Sequence, residues 1–296
     1  YLKPYMLLKK LNLSGKTVLI ETRTRASEPL NTLMSLEAGS KFVDGAAAPT
    51  WRDAYNLASA GIRRFVNLDW DPRLSDIVAI WILATYFAEA FSAFPFLYLY
   101  GSTGSGKTRL LKTAVLLSRH GFVVTDPSEA SLYRLAEAFR PTLGVDEGLL
   151  GSVAWRLIRA AFKRGSTVPR IEKTKREEFI ISLFEPYMPV AFSSTEMPKD
   201  LGGAEADESR AIFIFMRQMP DPAGRDPEPW DFQAERDDFY MLRLGRANEV
   251  VASLRALEAS GGLPFRGHER EIWLPLLAVA RLVGPEVFQN VLSFAL

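Results

Sequence analysis

Residues 101–108 read GSTGSGKT, a match to the spacing G-x-x-x-x-G-K-[ST] between an apolar run and a helix-forming stretch. Spaced glycines let successive backbone N–H groups curl round a phosphate. Gly101, Ser102, Thr103, Gly104, Ser105 and Gly106 are therefore candidate cradle residues. Lys107 has the reach for the β- and γ-phosphates, and the Thr108 hydroxyl suits a magnesium ion. The helix that follows adds its positive N-terminal end. The constellation predicts binding of ATP with Mg2+; a chance lysine in a Gly-rich turn is the alternative. A second GKT, at residues 15–17, serves as a control. Lys10 stands where its first glycine should be, and the preceding residues read as helical, so no phosphate loop is expected there.

Two further stretches carry oxygen chemistry. Residues 142–147, TLGVDE, are an apolar run ending in adjacent carboxylates. Asp146 at a strand end is placed to hold magnesium, and Glu147 to polarise an attacking water. A solvated acidic turn would look the same in isolation, but a phosphate loop two strands earlier favours the catalytic reading. An Asp-Glu pair also favours hydrolysis over transfer of the kinase type. Residues 191–198, AFSSTEMP, put Ser193, Ser194 and Thr195 at another strand end. One of them could bond the γ-phosphate or the attacking water, or all three could simply cap a helix. Finally, residues 205–216, EADESRAIFIFM, leave one arginine, Arg210, at the mouth of an apolar strand.

The elements that must position these residues follow a regular pattern from residue 95. Strands are predicted over 96–100, 121–125 and 142–145, alternating with helices over 107–118, 127–139 and 153–164. That alternation argues for an α/β fold with a parallel sheet flanked by helices. Two strands around 167–171 and 179–184 read as a charged hairpin, and 189–193 and 211–216 as two more buried strands. An apolar helix is predicted over 74–92, buried rather than spanning a membrane. Residues 1–70 contain short β-like runs at 17–22, 41–43 and 63–68 and no legible fold. Residues 220–230 are a Pro/Gly-rich linker, and 231–296 have helical periodicity. The expected organisation is an N-terminal region over 1–72, an ATPase core over 73–220 and a helical lid over 221–296.

Composition narrows the chemistry further. The chain has 296 residues, 48% hydrophobic and 24% charged, which supports a sizeable core. A net charge of +1 means that any basic surface must be local. There is no cysteine, which removes disulfides, thiolate metal sites and cysteine nucleophiles. His120 and His268 are the two imidazoles, and neither has metal-ligand spacing. The N-terminal YLKPYMLLKK lacks the layout of a signal peptide, so a cytoplasmic location is expected.

The order of parts resembles that of AAA+ ATPases: phosphate loop, acidic pair after one intervening strand, polar strand end, arginine before the last strand. The resemblance covers about residues 95–218, and the helical 231–296 matches the family's lid. It implies the family's sheet order with the phosphate-loop strand central, a sensor role for Ser194 or Thr195, and an arginine-finger role for Arg210 at the neighbouring subunit's ATP. Arg243 and Arg246 fall where a second sensor arginine is sought. A finer resemblance joins 141–147, AFKRGSTVPRIEK, VAFSSTEMP, DESRAIFIFMR and the late EIWLPLLAVA with Trp273, Pro275 and Leu276. These look like the helicase-like ATPase domains attached to primases of phages, plasmids and integrative elements. No primase-like motif is visible in residues 1–70, so a primase would be lost, sit on another chain as a partner, or lie outside this sequence.

The hairpin agrees with that resemblance. Lys173, Lys175 and Arg176 at its tip resemble the hairpins with which ring helicases grip a nucleic-acid backbone. The alternative is a solvated turn, since Glu172, Glu177 and Glu178 nearly cancel the charge. The combined expectation is a homo-hexameric, ATP-hydrolysing DNA helicase or translocase of a replication module. A nucleotide-dependent switch or loader that remodels a protein partner is the competing class. A small-molecule kinase would leave Arg210 and the C-terminal segment unexplained.

Overall fold

The computed structural model describes residues 6–13, 16–23, 32–125, 127–146, 158–173, 179–196, 209–220 and 222–296. Strands β1 (Met6–Leu13) and β2 (Lys16–Arg23) pair antiparallel, from Met6↔Arg23 to Leu13↔Lys16. The residues before the second GKT are thus strand, not helix. Lys16 opens another strand, so this GKT lacks the helix N-terminus that a phosphate loop uses.

Three helices follow: α1 (Leu36–Val43), α2 (Trp51–Phe65) and α3 (Pro72–Thr85). Residues 41–43, expected as β-like, form the last turn of α1, and 63–65 the end of α2. The reason is capping and burial. The Ser35 hydroxyl accepts from Ala38 N–H, and Thr50 and Asp53 form a reciprocal capping box. Ala54, Ala58, Ile62 and Phe65 then line one buried face at helical spacing. Asp71 caps α3, with Pro72 in its first turn, where a missing N–H costs nothing. From Ile77 to Ala84 every side chain of α3 is 0% exposed, so this helix is apolar all round because it lies inside the core. It ends at Thr85, short of the expected 92; Tyr86 and Phe87 turn back onto Leu83 and Ala84. Among the described residues no helix is long and apolar enough to cross a membrane.

The sheet elements are β3 (Phe96–Tyr100), α4 (Lys107–Leu117), β4 (Gly121–Thr125), α5 (Glu129–Phe139) and β5 (Thr142–Asp146). A separate antiparallel hairpin, β6 (Val168–Lys173) with β7 (Phe179–Phe184), precedes β8 (Val190–Ser194) and β9 (Ala211–Phe215). The five-stranded sheet has the order β4-β5-β8-β3-β9, and every pairing is parallel. Its strands are near-continuous apolar runs, as buried parallel strands must be. The strand before the phosphate loop, β3, is interior but one place from the edge. The centre is β8, because β3 pairs with it on one side and with β9 on the other.

Helix α4 buries Leu110, Leu111, Ala114 and Val115 against the sheet and the N-terminal helices. The chain then passes so close that a Cβ on Gly121 would lie 1.8 Å from the Val115 carbonyl oxygen. Gly121→Ala is expected to shift backbone against backbone and to cost about 1–3 kcal/mol. A lowered urea midpoint at unchanged slope would register it.

Three helices end the chain: α6 (Gln233–Ser260), α7 (Gly267–Val283) and α8 (Pro285–Ala295). They pack on α1, α2 and α3, and one apolar core runs from Trp51 to Val291 across the three segments anticipated from sequence. Arg236, 0% exposed, donates to the Leu116 carbonyl, and Tyr240 accepts from His120 N–H. Helix α6 therefore docks at the C-terminal end of α4. That is the far end from the phosphate loop, about 16 Å away along an 11-residue helix.

Candidate functional site

All five parallel strands point their C-terminal ends to one edge, where ligands of such sheets collect. The chain leaves β3 there as a loop rather than a strand because of its glycines. Gly101 has φ 154°, and a Cβ on it would lie 2.4 Å from the Met216 carbonyl oxygen. Gly106 has φ 84° at the N-cap of α4, a left-handed position that releases the loop directly into the helix. Lys107 is only 6% exposed and its ammonium donates to the Ser102 carbonyl at 2.8 Å. Its charge is thus held inside the cradle.

Thr108, one residue into α4, donates its hydroxyl to Asp146 Oδ1 at 2.9 Å. Ser193, in β8, donates to the same oxygen. Three separate stretches of sequence meet here because β8 lies between β3 and β5 and fills the gap between loop and carboxylate. Of the three hydroxyls at that strand end, Ser193 is the one turned to Asp146. Ser194 accepts from Glu196 N–H in a turn, and Thr195 is exposed. Glu147 lies outside the described residues.

A cavity of about 310 Å³ opens beside the loop. One wall is the cradle from Thr103 to Arg109; the other is Phe65, Val66, Asn67, Met219, Pro220 and Pro222. Among the described residues Lys107, Arg109 and Arg217 supply three cations to the lining, and Asp226 one carboxylate. Asp226 is already engaged: it accepts from Lys112 at 2.6 Å and from Arg109 at 3.4 Å. The Lys112 hydrogen bond, outweighing partial burial, holds its carboxyl below the usual range. The Pro/Gly-rich linker is therefore strapped onto α4, a contact that local sequence could not disclose. The C-terminal helices contribute no residue to the cavity lining.

The donor set fits a nucleotide with a hard cation. Thr108 and Asp146 offer neutral and anionic oxygens. A cation between them would complete its shell with phosphate oxygens and water, as magnesium prefers. Among the described residues no cluster of His, Asp and Glu could hold a metal by itself. The two histidines lie away from this site: His268 pairs with Glu271 on the surface, and His120 is half-buried with Nδ1–H donating to the Phe139 carbonyl. Burial, and then the charge of Arg119, push the His120 pKa down to about 3. It stays neutral and cannot serve as a base near pH 7.

Arg210 is not part of this constellation. Its carbonyl accepts from Phe96 N–H at the start of β3, and its guanidinium lies over the Phe162 ring at 5.9 Å. The phosphate loop is at the other end of that strand, about 17 Å away at 3.3 Å per residue. Arg243 pairs with Glu89 beyond α3, and Arg246 with Glu249 on its own helix, and neither arginine lines the cavity. Lys173 ends β6, while Lys175 and Arg176 lie outside the described residues. Arg217, which the sequence reading passed over, lines the cavity. The rule that ligands gather at the C-terminal edge of parallel strands would have found it.

No protein-family model matches the chain, and no curated protein matches its sequence. Among solved structures, the active helicase Cch of SCCmec type IV aligns over 84% of this chain and 48% of that one, with TM-score 0.45 and 11% identity. JCV helicase, bound to a thiazolopyridinyl-phenoxyphenyl acetamide, aligns over 82% and 60%, with TM-score 0.31 and 14% identity. The chain spans about half to three-fifths of the length of these two structures.

Proposed function

We propose that the chain is an ATP-hydrolysing subunit of a ring motor that moves on DNA, of the AAA+ type its order of parts resembles. The observation that carries the reading is the meeting of Thr108, Asp146 and Ser193 at the N-terminus of α4, beneath a glycine loop with a buried lysine. In that reading the loop N–H groups and Lys107 bind the β- and γ-phosphates, and Thr108 and Asp146 orient the cation. Bound magnesium would neutralise charge developing on the phosphoryl oxygens. Ser193 holds the Asp146 carboxylate in place, and Glu147 positions the attacking water. Arg210, pointing away from its own loop, reaches the ATP of the next subunit, which makes hydrolysis depend on assembly. Six copies would bring the β6–β7 tips together as a ring that follows a phosphate backbone. A primase on a separate chain is the partner implied for such a replication module.

The test is ATP turnover with and without single-stranded DNA, together with strand separation on a forked substrate. The motor reading expects stimulation by DNA and a hexamer in the presence of a non-hydrolysable ATP analogue. Turnover indifferent to DNA and unchanged by charge reversal of Lys173, Lys175 and Arg176 would sink it and favour the switch or loader.

A further inference from the structure

Strand β9 carries an arginine just beyond each end. It is pinned to the phosphate-loop strand along its length, from Phe96↔Ala211 to Tyr100↔Phe215. Beyond the ladder, Phe96 N–H donates to the Arg210 carbonyl at one end, and Met216 N–H to the Tyr100 carbonyl at 2.7 Å at the other. Met216 is 1% exposed, and its carbonyl occupies the space where Gly101 has no Cβ. The backbone that launches Arg217 is therefore fixed against the first residue of the phosphate loop. The side chain itself is exposed, lines the cavity, and makes no hydrogen bond or ion pair among the described residues. Its surroundings do not explain it structurally. Among the described residues of the lining the one carboxylate, Asp226, is held by Lys112 and Arg109.

We infer that Arg217 binds the phosphate tail of the nucleotide held by its own subunit, as a second cation beside Lys107. This rests on the nucleotide reading of the site and deepens it. An arginine suits the task because its planar fork can engage two phosphate oxygens at once, where lysine offers a point charge. The apolar wall of Phe65, Val66, Met219 and Pro220 leaves the base to the other half of the cavity. The two arginines of β9 are thus divided between sites: Arg217 faces the subunit's own loop, and Arg210 the opposite edge of the sheet.

The experiment is calorimetric titration of ATP into wild type, Arg217→Gln, Arg217→Lys and Lys107→Ala across a range of salt concentrations. Arg217→Gln should raise the Kd for ATP about ten-fold or more, the size of a lost charge-assisted hydrogen bond. It should also make binding less sensitive to salt, and Arg217→Lys should restore part of both. An unchanged Kd, or a raised Kd with unchanged salt dependence, as for stacking on the base, would overturn the assignment. Lys107→Ala separates the two levels. If it leaves ATP binding intact, the nucleotide site itself is wrong; if it abolishes binding while Arg217→Gln does nothing, only Arg217 is.

Discussion

Arg210→Ala should bind ATP as wild type does and lose hydrolysis by about 10³–10⁵-fold, the usual worth of an arginine supplied to a transferring phosphoryl group. Binding should survive because Arg210 sits at the start of β9, at the sheet edge opposite its own phosphate loop. Its packing over Phe162 is one stabilising contact that the substitution removes. A cation–π contact at a half-exposed site is worth about 0.5–1 kcal/mol, too little to explain a loss of that size. The decisive measurement mixes Arg210→Ala with Glu147→Gln. The second variant still offers its arginine, so interfaces that join a sound Glu147 to a sound Arg210 should recover turnover. A mixture as inactive as either component would count against action across subunits.

Asp146→Asn is the second large effect. The amide has the shape of the carboxylate, and its oxygen can still accept from Thr108 or Ser193, so the fold should persist. What disappears is the negative charge on the oxygen where both hydroxyls converge. Turnover in Mg2+ should fall about 10³-fold, since cation stabilisation of this kind contributes several kcal/mol. Binding of ATP in the presence of a chelator should hardly change. Titrating magnesium against turnover reads the result directly. An unaltered magnesium dependence would reduce Asp146 to an acceptor that merely ties Thr108 and Ser193 together.

The parts of the molecule legible in the sequence are those whose cause is local. GSTGSGKT is contiguous, and its glycines announce the backbone they adopt. The strands at 96–100, 121–125 and 142–146 are short apolar runs between turn residues. Helices α1 and α2 were hidden because 41–43 and 63–68 are rich in residues that also suit strands. Only the caps at Ser35 and Thr50, and the buried stripe of α2, decide for helix. Sheet order could not be read from pattern, since parallel strands choose partners through crossovers. For the candidate site, the stretch 193–195 stood out, but which hydroxyl turns inward depends on the register Asp146↔Ser193. The strap of Asp226 onto Arg109 and Lys112 is a tertiary fact with no local signature.

The central place of β8 has a consequence for how the molecule comes into being. Strand β3 pairs with β8 and β9 alone, so its first partner is made long after it, as Leu97↔Ala191 shows. During synthesis from the N-terminus, the strand that carries the phosphate loop emerges with both edges bare. Pairings of such long range are slow to close, and bare edges invite association with other chains. The glycine loop after β3 is therefore among the last parts of the sheet to be braced. Affinity for ATP should arise late in folding, together with the closing of the sheet's middle.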